Sequence, residues 1–209
     1  FSGAISITVD IPEGATLRYT MDGSTPTMEN GRTSTTGKLS TSGTRVYRFA
    51  LFQDGCLSSP VVTRSYIKRD KSFNIPVVSV VTDPDHLYDP TIGFLTKGTN
   101  GRRGKGTSEY CNWNHDWDRP VNFEMLDPQT GKSLINMEAD MSRCGGHSKG
   151  FTPFSFKIKA GKEYEGQNYL DYQFFPDKPY LKHKALQFRC GGNDYLCRIK
   201  DAALQSIVR

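Results

Sequence analysis

YTMDGSTPT, residues 19–27, is the stretch that decides the fold of the first part of this 209-residue chain. Tyr19 to Met21 are β-prone residues, and the pair Asp22-Gly23 tolerates the positive φ of a tight turn. Pro26 fixes its own φ and donates no backbone hydrogen bond. The pattern therefore predicts a strand that runs into a hairpin or a sheet-crossing corner.

Short alternating segments on both sides of this turn predict further strands. They span residues 4–9, 16–21, 38–40, 44–53 and 61–67. Short strands at this spacing, separated by turn residues, indicate an immunoglobulin-like all-β sandwich. The polar residues 29–37 are interpreted as a surface loop and residues 68–72 as a charged linker, so the first domain is predicted to span residues 1–68.

The run ISITVDIPEGATLRYTMDGSTPT from Ile5, with its continuation to Tyr66, resembles the small domain at the C-terminus of chitobiases and β-hexosaminidases. That domain recurs as a spacer in bacterial surface proteins. The resemblance implies an extracytoplasmic location, at the cell surface or secreted.

Composition excludes several classes of function. Hydrophobic residues make up 36% of the chain, a globular balance, and the net charge of +5 is spread along the sequence. Because basic residues are not concentrated in one segment, no nucleic-acid partner is expected. No apolar run approaches the ~20 residues of a membrane span. The five cysteines lack zinc-ligand spacing, so no metal site is predicted.

The second part of the chain predicts an α+β domain, mostly antiparallel with few helices, over residues 72–209. The apolar run 75–81 predicts a central strand, followed by a helical turn through Leu87 and a strand over 92–97. DPQTGK predicts a hairpin between 121–126 and 135–143. Residues 154–159 and 185–189 predict two more strands. From Asn193 a helix with a broad apolar stripe is expected to pack on something else, which predicts self-association.

Six elements of this second part, in order, resemble the spore coat protein H (CotH) family, whose members have a reduced protein-kinase-like fold. They are IPVVSVVTDPDHLYD, GFLTKG, WDRPVNFEMLD, RCGGHSKG, SFKIKA and LQFRCGGND. In the family, the catalytic and metal-binding aspartates lie beyond the position of Arg209. The resemblance therefore implies a fragment with no catalytic residue and no metal ligand, whose partner is the missing C-terminal half. ATP and magnesium are candidate ligands of the full-length protein only.

A glycine-rich turn between two predicted strands is the candidate cofactor-binding site. In protein kinases such a turn covers the nucleotide phosphates with backbone N–H groups, and a strand lysine holds the phosphates. The residues that would do this are Gly145, Gly146, Ser148, Lys149 and Lys157. The alternative is a flexible strand connection with solvated lysines.

Other candidate residues each have two interpretations. Asn193 orients a ligand or caps the next helix. His115 and Asp116 are close enough in sequence to be metal ligands, but no second histidine accompanies them, so the alternative is a pair of ordinary loop residues. Cys144 and Cys190, in two RCGG near-repeats, face each other or remain separate thiols.

The aromatic residues of segment 110–117 offer a further pair of interpretations. Tyr110, Trp113 and Trp117 form a stacking platform for sugar rings, or Trp117 belongs to the core and Trp113 to a loop.

The sequence is compatible with three functions. The leading hypothesis is a bacterial surface or secreted protein in which the sandwich presents a CotH-like domain for envelope assembly or adhesion, with surface proteins or polysaccharide as partners. An ATP-dependent protein kinase in the full-length chain and a carbohydrate-associated binding module are the alternatives. A glycosidase is excluded because no carboxylate pair can be argued to flank a glycosidic bond.

Overall fold

The computed structural model describes residues 1–71, 73–104, 109–164, 168–192, 194 and 196–208. The chain divides into two compact units, one made of Phe1–Pro84 and Val121–Met137, the other of Asp85–Pro120 and Glu138–Arg209. Sheets are antiparallel and helices are few and short, which confirms the predicted β-rich architecture. The predicted domain boundary near residues 68–72 stays a prediction. Within the described ranges, no helix has the length and apolar character that crossing a membrane requires.

The first unit starts with a sandwich of six strands. They are β1 (Ile5–Thr8), β2 (Thr16–Thr20), β3 (Arg32–Ser34), β4 (Lys38–Thr41), β5 (Arg45–Phe52) and β6 (Val62–Tyr66). One sheet has the order β3-β2-β5-β6 and the other pairs β1 with β4. Alternating residues bury Ile7, Leu17, Tyr47 and Phe49 in one core, where the rings of Tyr47 and Phe49 stack with centroids 5.6 Å apart.

The turn predicted after β2 is present. Gly23 has φ of 92°, and the Asp22 carboxylate accepts hydrogen bonds from the Ser24 N–H at 3.0 Å and the Ser24 hydroxyl at 2.6 Å. The prediction of a surface loop over 29–37 is wrong at β3, which pairs with β2 in spite of its polar sequence. Arg18 of β2 explains the difference, since its guanidinium bonds the Thr33 hydroxyl at 2.9 Å.

The remaining elements follow in chain order. The strands are β7 (Val77–Val81), β8 (Arg102–Arg103), β9 (Tyr110–Cys111), β10 (Asp118–Leu126), β11 (Ser133–Cys144), β12 (Ser155–Lys159), β13 (Leu170–Asp171), β14 (Lys182–His183) and β15 (Ala185–Phe188). The helices are α1 (Pro84–Tyr88) and α2 (Lys200–Ile207), with 3₁₀ turns at Asn112–Asn114 and His147–Gly150. A five-stranded sheet has the order β15-β12-β11-β10-β7, and the β10–β11 hairpin is as predicted.

Two strand predictions in this region are wrong. The run 75–81 was expected to be a central strand, but β7 is at the sheet edge and Ile75 is 73% exposed. Residues 92–97 form no strand because their backbone donors are used by the helix before them. The N–H groups of Phe94 and Leu95 bond the carbonyls of His86 and Leu87 at 3.0 and 2.8 Å.

The last helix begins later than the sequence pattern predicts. Arg198 has a left-handed φ of 62°, which interrupts a helix, and α2 starts at Lys200. Asn193, the predicted cap, lies outside the described residues. The apolar side chains of the stripe are exposed, including Leu204, Ile207 and Val208. Self-association through this stripe stays a prediction.

Candidate functional site: a basic cleft at the glycine loop

The glycine loop lies between β11 and β12, as the sequence predicts. Gly145 follows the end of β11 with φ of 119°, and residues His147–Gly150 form a 3₁₀ turn. This positive φ favours glycine, and a Cβ at Gly145 would also lie 2.6 Å from the Ser148 hydroxyl oxygen. A Cβ at Gly146 would meet no atom within 4 Å, so the backbone there borders open space.

A cleft of about 170 Å³ opens at this loop. Its lining combines three basic side chains with one carboxylate and three glycines: Arg102, Arg103, Gly104, Asn114, Asp116, Gly145, Gly146 and Lys149. The cleft thus brings together Gly145, Gly146 and Lys149 from the predicted set and does not include Ser148 or Lys157.

The Lys149 side chain is largely enclosed in the cleft wall. It is only 13% exposed, and its Nζ lies 3.1 Å from a carboxylate oxygen of Asp116. Arg102 Nη1 is 3.9 Å from the other oxygen of the same carboxylate. Two cations from different elements therefore converge on one anionic group.

Lys157 lies on β12 opposite Ser142 and Gln187, near the loop but outside the cleft. Burial raises the pKa of the Cys144 thiol, and the positive charges of Lys157 and Lys149 partly oppose that rise. Lys157 therefore does not line the cleft, and its charge adds to the positive electrostatic potential near the loop.

Arg143 supports the glycine loop through hydrogen bonds. The sequence marks this residue only as part of RCGG. It is 8% exposed, and its guanidinium donates to the carbonyls of Phe94 at 3.3 Å and Phe151 at 3.4 Å. The guanidinium also lies 5.2 Å from the ring centroids of Trp113 and Phe154. Burial lowers its pKa to about 10. Arg143 thereby connects the two ends of the glycine loop.

Buried asparagine side chains position the opposite wall of the cleft. Asn114 Nδ2 donates to the carbonyl of Arg102 at 2.8 Å and to that of Glu109 at 3.2 Å, which fixes the hairpin of β8 and β9. No sequence periodicity marks Asn114, Arg102 or Arg103 as members of one site. The only sequence feature that indicates a functional role for these residues is the high density of polar residues and glycines in a segment without a helix or strand pattern.

The three aromatic side chains proposed as a sugar platform have different neighbours in the structure. The Trp117 ring stacks on His115 with centroids 4.1 Å apart, and the Arg119 guanidinium lies 4.6 Å from its centroid. Trp113 is covered by Arg143, while Tyr110 is exposed elsewhere on the hairpin of β8 and β9.

The cysteines and His115 have other neighbours in this structure. Cys144 pairs with Ser155, whose hydroxyl accepts the N–H of Cys190 at 2.9 Å, so β12 separates the two free thiols. His115 Nε2 lies 2.8 Å from the carbonyl of Asn100. Within the part of the chain that the structure describes, no group of three or more His, Cys, Asp or Glu side chains could hold a metal ion.

Comparison with known proteins gives a match at the start of the chain. Residues 1–63 match the family described as chitobiase/beta-hexosaminidase C-terminal domain. The resemblance predicted from the YTMDGSTPT stretch is confirmed over this range. No curated protein and no solved structure matches the chain.

Proposed function

We propose that the second unit binds the phosphate groups of a nucleotide at the glycine loop, in an extracytoplasmic protein of the CotH kinase-like family. The observation that carries this proposal is the cleft in which the open backbone of Gly146 borders Lys149, Arg102 and Arg103. Glycine allows close backbone approach, and arginine forks match the geometry of phosphate oxygens.

The charge of the cleft supports an anionic ligand. Its lining carries three positive side chains against the single carboxylate of Asp116. Lys149 is mostly buried by the surrounding chain, so its charge is poorly screened by solvent and interacts more strongly with a bound anion. A flexible connection with solvated lysines does not account for such a confined lysine.

The chitobiase-like domain supports a role at the cell surface. We propose that this β-sandwich is a spacer that presents the second unit for envelope assembly or adhesion.

The alternatives receive less support from the geometry. Phosphoryl transfer normally requires metal ions that bridge the phosphates, and the resemblance places the metal-binding aspartates of the family beyond Arg209, so the kinase alternative concerns the full-length protein. A carbohydrate-binding module requires accessible aromatic faces, and the Trp117 ring already contacts His115 and Arg119.

The proposal predicts weak ATP binding that magnesium does not tighten. In isothermal titration calorimetry, Gly146→Val should reduce affinity about tenfold or more, because a side chain fills the space where the phosphate approaches the backbone. The matched control is Gly43→Val, since a Cβ at Gly43 also meets no atom within 4 Å but stands in the sandwich. No phosphoryl transfer is expected.

Two results would contradict the proposal. One is an absence of ATP binding by the unmodified chain at millimolar ligand. The other is an equal loss of affinity in Gly146→Val and Gly43→Val. Tight magnesium-dependent binding would instead favour the kinase alternative.

A further inference from the structure

Asp116 occupies an unusual position in the basic cleft. Its side chain is 83% exposed, yet its two carboxylate oxygens lie 3.1 Å from Lys149 Nζ and 3.9 Å from Arg102 Nη1. Because the Asp116 carboxylate is largely hydrated, its pairing with the enclosed Lys149 contributes little to stability. A stabilising role is therefore a weak explanation for a carboxylate at this point.

The backbone around Asp116 is fixed while its carboxylate stays accessible. His115 stacks on Trp117, its Nε2 lies 2.8 Å from the Asn100 carbonyl, and its own carbonyl accepts a bond from Lys149 Nζ at 3.5 Å. Neighbouring side chains thus anchor the segment. The carboxylate is 83% exposed, so a side-chain rotation toward solvent would separate it from the cations without a movement of the backbone.

Carboxylate and phosphate oxygens are bound by the same arginine and lysine donors. We infer that Asp116 is an internal competitor, whose carboxylate takes the place at Lys149 and Arg102 that ligand phosphate uses. The inference rests on the proposed function and deepens it. A single phosphate must displace this carboxylate at a cost, whereas linked phosphates also reach Arg103 in the same lining. The site is therefore selective for a polyphosphate chain.

The test compares two neutralising substitutions that differ only in place. Asp116→Asn removes the competing charge. Asp118→Asn, two residues on, makes the same change in net charge outside the cleft, where Asp118 pairs with Lys159. The probe is sodium tripolyphosphate, titrated into the 209-residue chain by calorimetry at low ionic strength without magnesium. Parallel titrations with ATP and adenosine distinguish a nucleotide from free polyphosphate.

Asp116→Asn should bind tripolyphosphate about three- to tenfold more tightly than the unmodified chain, because an ion pair no longer has to break and a repelling charge is gone. Asp118→Asn should change affinity less than about twofold. Equal gains in both variants would reduce the effect to net charge and overturn the inference. Weaker binding by Asp116→Asn would overturn it too, since Asp116 would then assist the ligand.

Failure of the proposed function gives a different result. In that case neither the unmodified chain nor Asp116→Asn binds tripolyphosphate or ATP, and Gly146→Val has nothing to lose. If the unmodified chain binds and Gly146→Val abolishes binding while Asp116→Asn equals the unmodified chain, the glycine-loop site stands and only the competitor role of Asp116 is wrong.

Discussion

The sandwich and the segment around the 3₁₀ turn Asn112–Asn114 are stabilised in different ways. In the sandwich, strands bond one another, and the buried side chains Ile7, Leu17 and Phe49 are apolar. In the second unit, α1 and β10 are connected by a largely irregular chain. The fully buried Asn112 donates from Nδ2 to the carbonyls of Pro90 at 2.9 Å and Gly93 at 3.0 Å.

The difference follows from the hydrogen-bonding needs of the backbone. Regular strands satisfy their own N–H and C=O groups, so their side chains are free to form an apolar core. Irregular backbone leaves buried carbonyls that side-chain donors must satisfy, which is the role of Asn112, Asn114 and Arg143. The basic cleft lies where this second kind of stabilisation prevails, since irregular segments can bring charged residues together without a strand register.

The largest expected effect is loss of packing in the sandwich. Leu17→Ala removes a side chain with 0% exposure and should lower the free energy of unfolding by about 2–5 kcal/mol, because lost transfer energy and a residual cavity add. Leu57→Ala is the matched control, since Leu57 is 97% exposed and should change stability by less than about 0.5 kcal/mol. Urea unfolding of both variants measures the difference. Similar losses at the two positions would contradict an apolar core at Leu17.

A smaller loss is expected where a buried amide replaces apolar packing. Asn112→Asp keeps the shape but exchanges the donating amide for an oxygen that faces two carbonyl oxygens. The expected loss is about 1–3 kcal/mol when measured at a pH low enough to keep the new carboxyl protonated, since a buried carboxylate would cost more. Asn100→Asp is the control, since Asn100 is exposed and donates to the Thr91 carbonyl at 3.3 Å. Equal urea midpoints for the two variants would show that the Asn112 bonds do not support this segment.

Much of the fold could be predicted because local patterns coincide with the structure. Alternation located β2 and β5 to within about two residues, and DPQTGK located the β10–β11 hairpin. β3 was missed because Arg32, Thr33 and Ser34 carry no apolar alternation, and its pairing depends on β2. Apolar character alone does not distinguish an edge strand from a central one, which explains the error at β7.

Of the candidate site, only the residues of the glycine loop could be predicted from the sequence. Consecutive glycines after a strand are a local signal, so Gly145 and Gly146 were found. Arg102 and Asp116 meet Lys149 only through the folded backbone, across more than thirty positions of sequence, and no short-range pattern encodes that approach. Lys157 is predicted by analogy with the strand lysine that holds the phosphates in protein kinases, and strand alternation gives the direction of its side chain but not its distance from the loop.

The smallest expected effect concerns the turn in the sandwich and depends on pH. Hydrogen bonds from the Ser24 hydroxyl and backbone lower the pKa of Asp22 below its usual value of 3.8. A depressed carboxyl pKa contributes stability above the unfolded value, and that contribution is lost as pH falls through the folded value. Relative to the unmodified chain, Asp22→Ala should therefore be less stable near about pH 6 by well under about 1 kcal/mol, and the gap should narrow below about pH 3. Ser24→Ala, which removes the largest of these contributions, should leave a weaker pH dependence in thermal unfolding. A gap for Asp22→Ala that stays constant or widens on acidification would show that the Asp22 carboxylate does not stabilise this turn.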